Sequence, residues 1–313
     1  MRRISLLGMT ALLVFGMAGM ATAHAPPGEV NFVFQWPDSA IPQIDGDLSE
    51  WDVVPATYEI TNPDLFQVFA AGPRHPEMTE RGDIDPEDMF IRHRIGWNDN
   101  TNRLYFATSV FDDEHDRDSE SNCLWDDDDW EVRVGPNIPW EEMNEGATDG
   151  DLNLSHFLIA VPPIEGGTVG ITGYFDFFPW STAAEFLQEG NTEIWEFGWS
   201  FDGEMYGEST YYYELSYHHF LPTPSGDPPS PLPPLVDLEE GDIYHINIMV
   251  LDRDPKIKAA GGKTWESLYS GIWSISPGPD NAPKSDFVMA PLEDVSFVTA
   301  ISDKTWGQIK AGI

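Results

Sequence analysis

The sequence has one cysteine in 313 residues, Cys123. A single cysteine excludes an internal disulfide, so packing alone must hold the core of the protein together. Cys123 is followed closely by four consecutive aspartates, and this acidic setting disfavours the thiolate that a catalytic cysteine needs. We therefore interpret Cys123 as structural or incidental.

Positive charge is also scarce. The chain has 16 Lys and Arg against 54 Asp and Glu, a formal net charge of −38. Contacts with phosphate depend on lysine and arginine, so this balance argues against binding to nucleic acid or to an anionic membrane surface. Cation binding, neutral ligands such as sugars and a salty external habitat are compatible with it.

Long apolar runs are absent beyond the first 23 residues. Segment 1–23 has two arginines near its start, an apolar run over Leu6–Met20 and an A-x-A site at Ala21–Ala23. This pattern predicts a secretory signal peptide that is cleaved after Ala23. The run is shorter than the roughly 20 residues that span a bilayer. We expect a secreted or periplasmic protein with no transmembrane segment in the mature chain.

Motifs of common enzymes are missing as well. The sequence contains no G-x-S-x-G, H-E-x-x-H, P-loop or G-x-G-x-x-G motif, and no C-x-x-C-H motif for covalent haem. A glycosidase needs two carboxylates across a cleft, but no pair stands out among 54 acidic residues. We predict that the protein is not an enzyme.

The residues that are present favour strands. Helical signals are confined to Thr182–Gln188 and Thr264–Tyr269, so most successive strands have no helix between them. This organisation predicts an all-β, antiparallel sandwich, immunoglobulin-like or jelly-roll-like, with long loop insertions and few short helices. The predicted strands are Phe90–Trp97, Arg103–Phe111, Trp130–Val134, Leu154–Val161, Thr168–Phe175, Met205–Tyr217, Ile243–Leu251 and Gly271–Ile275.

We expect one domain over residues 24–313, with insertions near residues 63–88 and 222–234. The second insertion has seven prolines, which exclude a central strand. We interpret it as a long loop, because the strands before and after it, Tyr211–Tyr217 and Ile243–Leu251, are typical of neighbours in one sheet.

Four segments follow one another in a recognisable order. They are Ile44–Trp51 (I-D-G-D-L-S-E-W), Trp97–Asp113, Trp125–Glu131 (W-D-D-D-D-W-E), and Glu240–Asp252 with the later Trp273-Ser274. In this order they resemble the family 9 carbohydrate-binding modules and the wider sandwich superfamily that includes DOMON-type haem and sugar domains. The resemblance runs from Ile44 to about Leu292. It implies a β-sandwich that binds a glycan, with carbohydrate-active enzymes as partners in polysaccharide catabolism.

The resemblance also implies a sugar site. The tryptophan that heads the third motif forms one wall of a two-tryptophan clamp in the family, and the glutamate six residues later contacts the ligand. These roles fall on Trp125 and Glu131. The loop Ile275–Pro283, where the second tryptophan is expected, has none. Trp265 or Tyr269 is our hypothesis for the missing wall.

Other positions depart from the family. A polar contact residue of the late strand falls at Met249, and a basic one of the middle strand falls at Leu158. A wider glycan, a different ligand or a scaffold without a small ligand therefore stay open. DOMON-like binding of b-type haem is a further alternative, with axial ligands from His93, His156, His245, Met89 and Met249, although burial explains these residues more simply.

One acidic turn is a candidate calcium site. Asp112–Asp118 packs five carboxylates into seven residues. Calcium takes 6–8 oxygen ligands on a flexible loop, and modules that the chain resembles often carry calcium near this turn. We predict calcium ligands at Asp112, Asp113, Asp116 and Asp118, with a solvated acidic loop as the alternative, and we expect His115 to face solvent.

The opening motif predicts a structural corner. Gly46 permits a positive φ, Asp45 and Asp47 can accept hydrogen bonds from turn amides, and Trp51 covers the edge of the core. Asp128, the aspartate of the third motif, is expected to bond neighbouring backbone amides.

Overall fold

The computed structural model describes residues 30–70, 76–78, 84–117, 124, 127–135, 155–163, 169–175, 193–219, 235–252, 271–274 and 285–293. The strands are β1 Val30–Gln35, β2 Glu59–Thr61, β3 Phe66–Ala70, β4 Pro76–Met78, β5 Met89–Asn98, β6 Arg103–Asp112, β7 Asp129–Val134, β8 Ser155–Ala160, β9 Gly170–Phe175, β10 Trp195–Gly203, β11 Ser209–Tyr217, β12 Ile243–Asp252, β13 Gly271–Ser274 and β14 Ser285–Met289. Short 3₁₀ helices cover Asp38–Ala40, Leu48–Val53, Ala56–Tyr58 and Asn62–Asp64.

These strands form one curled, mixed sheet that folds into two layers. The first layer has the order β10-β11-β6-β5, with β2 beside β5. The second has the order β9-β8-β7-β12, followed by β13 and β14 along the far side of β12, with β3 and β4 beyond β13.

Strand β1 belongs to both layers. Val30–Val33 pair with β14 of the second layer, and Phe34 and Gln35 pair with β5 of the first. Both pairings are parallel, and the other pairings in the described ranges are antiparallel. The prediction of an all-β sandwich is confirmed, with β1 as the parallel exception.

The main core lies between the layers. Apolar side chains point inward at alternate positions of strands such as β5, β6, β7 and β12, so that residues such as Ile95 and Phe106 of the first layer are buried in one cluster with Val132 and Ile248 of the second. A second buried cluster includes Trp36, Trp51, Tyr105 and Ala107. It packs the segment after β1 onto the outward positions of β6 and so covers part of the first layer.

Most predicted strands are confirmed with small shifts at their ends. The strand predicted from Met205 instead begins at Ser209, because the β10–β11 turn occupies the preceding residues, with Gly203 at φ 121° and Tyr206 at φ 64°. Strands β1, β2, β3, β4, β10 and β14 were not predicted, and β3 and β4 lie inside the insertion expected near residues 63–88.

The predicted pairing across residues 222–234 is wrong. Strand β11 lies in the first layer between β10 and β6, whereas β12 lies in the second. Residues 222–234 and both predicted helices lie outside the described residues. Among the described helices, none is both long and apolar enough to cross a membrane.

Candidate functional site

The opening motif is fixed to the first layer by Glu214 of β11. The Glu214 carboxylate accepts hydrogen bonds from the amides of Asp45 (3.0 Å) and Gly46 (2.8 Å) and from Trp51 Nε1 (2.7 Å). Burial raises the pKa of Glu214 to about 7, even though these three donors favour its charged form. The motif is therefore anchored by a carboxylate that no sequence signal identified.

The corner predicted for this motif is confirmed. Gly46 has φ 87°, and a Cβ there would lie 2.3 Å from the carbonyl carbon of Trp199. The amide of Asp47 donates to Asp45 Oδ1, and the amide of Ser49 donates to Asp47 Oδ1. Trp51 is fully buried, which is deeper than the core edge that the sequence suggested.

A cleft of about 450 Å³ opens beside this corner. Its floor is a row across four strands in which Arg92, Ser109, Tyr212 and Ser200 are successive register partners. Its volume falls in the range of small-ligand sites, and most of the residues that line it are polar. Sequence reasoning missed it, because β10 was not predicted and the row exists only once the strands pair.

Glu131 of β7 lies on the outward side of the second layer, in a buried polar cluster. Its Oε2 accepts hydrogen bonds from Arg133 Nη2 (2.7 Å) and His156 Nε2 (2.9 Å). Burial opposes ionisation, but the nearby Arg133 and His156 outweigh it and lower the pKa of Glu131. Burial together with the Arg133 charge lowers the pKa of His156 to about 4. The Glu131 carboxylate is thus charged and held in one orientation.

The three described positions to which the resemblance assigns ligand contacts meet here. Glu131 is the register partner of Met249 on β12 and of Leu158 on β8. Leu124 packs with Leu158 and Ala160 in a small buried cluster. Trp125 follows Leu124 in the chain, but Trp125 and Trp265 lie outside the described residues, so their roles stay predictions.

A second polar cluster lies where β6 ends and β7 begins. Asp112, His115 and Asp128 are all buried, and one ligand atom from each lies within 4.8 Å of the others. His115 is 3% exposed, so the expectation that it faces solvent is wrong. The reason is packing: its ring stacks on Tyr211 with centroids 3.9 Å apart.

The predicted calcium ligands do not all lie in this cluster. Asp112 and Asp116 are buried, Asp113 is exposed, and Asp118 lies outside the described residues. Asp128 accepts a hydrogen bond from the Asp116 amide, as expected for it. The carboxylate oxygens fit calcium, but the imidazole nitrogen among them does not, because calcium takes oxygen ligands.

The charges around Asp128 are mostly negative. Burial raises the pKa of Asp128 well above its usual value, and the neighbouring Asp112, Asp252 and Asp116 raise it further. Arg117 forms an ion pair with Asp127 beside this group.

The residues considered as haem ligands are buried, as expected. His93 Nδ1 lies 2.7 Å from Thr108 Oγ1, His156 pairs with Glu131, and His245 Nδ1 lies 3.1 Å from Asp286 Oδ1. Met89 and Met249 are also buried. Each of the three imidazoles therefore has a polar partner within the protein.

The chain was compared with known proteins. No family model matches it, and no curated protein matches it. Two similar solved structures are of a family 9 carbohydrate-binding module from Caldicellulosiruptor kristjanssonii, one in complex with cellotriose (12% identity, 85% of this chain and 96% of that one) and one with glucose (13% identity, 85% and 98%), each with a TM-score of 0.45. A third is a protein from Bacteroides uniformis described as carbohydrate-binding (13% identity, 83% and 99%, TM-score 0.43).

Proposed function

We propose that this chain is an exported, non-catalytic protein that binds a polysaccharide or oligosaccharide on the outward side of its second layer, around Glu131. The observation that carries the proposal is the register of three strands. The resemblance assigns ligand contacts to Met249, Glu131 and Leu158 from separate parts of the sequence, and the sheet places them side by side. Carbohydrate-active enzymes are the partners that we expect for such a protein.

The chemistry of Glu131 supports this proposal. Its Oε2 is engaged by Arg133 and His156, and its Oε1 can accept a hydrogen bond from a sugar hydroxyl. A charged acceptor that is already oriented loses little freedom on binding. Trp125, which follows the packed Leu124, would offer a flat apolar surface to the C–H face of a sugar ring.

The departures from the family favour a broad ligand. Met249 and Leu158 lie buried beside Glu131, where the family has polar contacts, so they offer a ligand no hydrogen bonds of their own. A site with one charged acceptor suits contact along a chain of sugar units better than clamping of one terminal unit. We therefore propose a polysaccharide rather than a single sugar as the ligand.

A binding experiment tests this proposal. We expect tryptophan fluorescence to change when the purified protein is titrated with members of a panel of soluble polysaccharides. For a polysaccharide that binds, Glu131→Gln should weaken the affinity by about 10-fold, the loss of a charged hydrogen bond. Trp125→Ala should weaken the affinity without lowering the melting temperature. A loss of both affinity and thermal stability would mean that Trp125 belongs to the core.

Glu204→Gln in the exposed β10–β11 turn is the matched control and should bind like the unaltered chain. Equal binding by Glu131→Gln and the control would contradict the proposed site. A Soret absorption band in the purified protein would favour the DOMON-like haem alternative, and no response to any polysaccharide or haem would favour a scaffold.

A further inference from the structure

We infer that Asp112, His115 and Asp128 form a binding site for one divalent metal ion of the zinc class. The inference concerns the cluster between β6 and β7 and does not depend on the glycan site. Asp112 ends β6, His115 follows in the next turn, and Asp128 immediately precedes β7. Three buried side chains from two separate segments thus direct ligand atoms to one point.

The hydrogen bond on the far side of the His115 ring fixes the role of each nitrogen. His115 Nε2 lies 2.7 Å from the carbonyl oxygen of Val161. A carbonyl only accepts, so Nε2 carries the proton and donates. In the neutral ring, Nδ1 then presents a lone pair, and it faces Asp112 Oδ2 at 3.1 Å and Asp128 Oδ2 at 3.5 Å. Each of these three atoms is an acceptor, so a cation placed between them would bind all three.

The spacing fits a metal better than an ion pair. Zinc lies about 2.0–2.2 Å from nitrogen and carboxylate ligands, so two ligands of a tetrahedral site are about 3.4 Å apart. The distances from Nδ1, 3.1 and 3.5 Å, lie on either side of this value. A protonated ring bonded to a carboxylate would approach it more closely, at about 2.7–2.9 Å.

Each proposed ligand side chain also forms a hydrogen bond with a backbone group outside the cluster. His115 donates to Val161, as metal-bound histidines usually donate to a carbonyl or carboxylate. Asp112 Oδ1 accepts from the amide of Glu114 at 3.0 Å, and Asp128 Oδ2 accepts from the amide of Asp116. The ligands are therefore oriented before any ion arrives, and the site has little reorganisation to undergo.

The nitrogen donor selects the class of ion. Calcium and magnesium prefer oxygen ligands, whereas imidazole suits zinc and its first-row neighbours. The surrounding charge supports a divalent ion, because the carboxyl groups of Asp116 and Asp252 are also buried close to Asp128. The ion that this site prefers is thus different from the calcium that the resemblance implies.

A metal titration tests the inference. The mature chain is prepared without a polyhistidine tag, stripped with a chelator, and titrated with Zn²⁺ and Ca²⁺ by calorimetry. We expect one equivalent of Zn²⁺ to bind, with no displacement by a large excess of Ca²⁺. Co²⁺ should give the visible d–d absorption of a site with nitrogen ligation and low coordination number. His115→Gln should lower the Zn²⁺ affinity by at least about 100-fold.

His218→Gln is the matched control, because His218 is half-buried and bonds the Asn102 carbonyl far from the cluster in sequence. It should bind Zn²⁺ like the unaltered chain. If His115→Gln does not fold, the competition with Ca²⁺ and the Co²⁺ spectrum of the unaltered protein still decide. Preference for Ca²⁺, or Zn²⁺ affinity unchanged by His115→Gln, would overturn the inference. Failure to bind any of the ions would overturn it as well.

Discussion

Two buried carboxylates, Glu214 and Asp128, face opposite surroundings in this molecule. Glu214 accepts from three N–H groups of the opening motif. Asp128 accepts from the Asp116 amide, and its charged neighbours include Asp112, Asp116 and Asp252. Burial raises the pKa of both groups. What differs is the source of compensation, which is neutral donors in one place and, in our proposal, a metal ion in the other.

The comparison shows how a chain with very few cations can bury acid. Donors supplied by the backbone and by an indole hold Glu214 in place at all times, and the result is a rigid corner. At Asp128 the surrounding carboxylates repel one another, and in our proposal a bound metal ion offsets this repulsion. Three predictions test this difference and are given in order of decreasing effect.

Gly46→Ala should have the largest effect, because it pulls the motif away from Glu214. The new Cβ would lie 2.3 Å from the Trp199 backbone, at a φ of 87°. Steric overlap and a left-handed backbone together should lower the free energy of unfolding by about 4 kcal/mol. Chemical denaturation measures this change.

Gly241→Ala is its control. Gly241 has a similar φ of 88° but nothing within 4 Å of an added Cβ. Gly241→Ala should lower the free energy of unfolding only through the strain of a left-handed backbone, by about 1–2 kcal/mol. If both variants were equally unstable, close approach of the motif to β10 would not be what holds the corner.

Substitution of the two carboxylates should have effects of opposite sign. Glu214→Ala leaves three N–H groups, two of them buried, without this acceptor and should destabilise the protein by about 3 kcal/mol with or without metal. Asp128→Asn removes repulsion from the other carboxylates, so the metal-free protein should gain about 1 kcal/mol. Melting temperatures of stripped samples compare the two, and a loss of stability in stripped Asp128→Asn would contradict the repulsion.

The response to pH should be the smallest effect. The pKa of Glu214 is raised to about 7 in the folded protein from an ordinary 4.5. Between these pH values Glu214 is ionised in the unfolded chain but stays protonated in the folded protein. Its contribution to the free energy of unfolding is therefore full below pH 4.5 and is lost as the pH rises through about 7. Glu214→Gln should remove about 1 kcal/mol of this dependence, after allowance for solvent screening. An identical pH profile in both proteins would show that Glu214 is charged throughout.

Local patterns predicted the strands whose own side chains alternate, such as β5 and β6. They could not predict which strands pair, and the mistaken pairing of β11 with β12 shows why. Both are apolar segments on either side of a proline-rich loop, yet β11 pairs with β10 and β6 whereas β12 pairs with β7, β13 and β14. Two of these partners, β10 and β14, were not predicted.

The candidate sites show the same limit. Glu131 was identified by a motif, and its partner Arg133 lies two residues away on the same strand, but its partner His156 follows only from the pairing of β7 with β8. His115 lies within a run of acids that is typical of a solvated loop. Its burial depends on Tyr211 and Val161, which are distant in the sequence. Glu214 carries no local signal, because a glutamate in a strand usually faces water.

The division of β1 between the two layers has a consequence for how the molecule is made. One partner, β5, is synthesised soon after β1, but the other, β14, is among the last described strands. The second layer therefore cannot close along β1 until nearly the whole chain has emerged, and contacts over such separations form slowly. For the exported chain that we propose, this order would leave the sandwich to be completed after translocation.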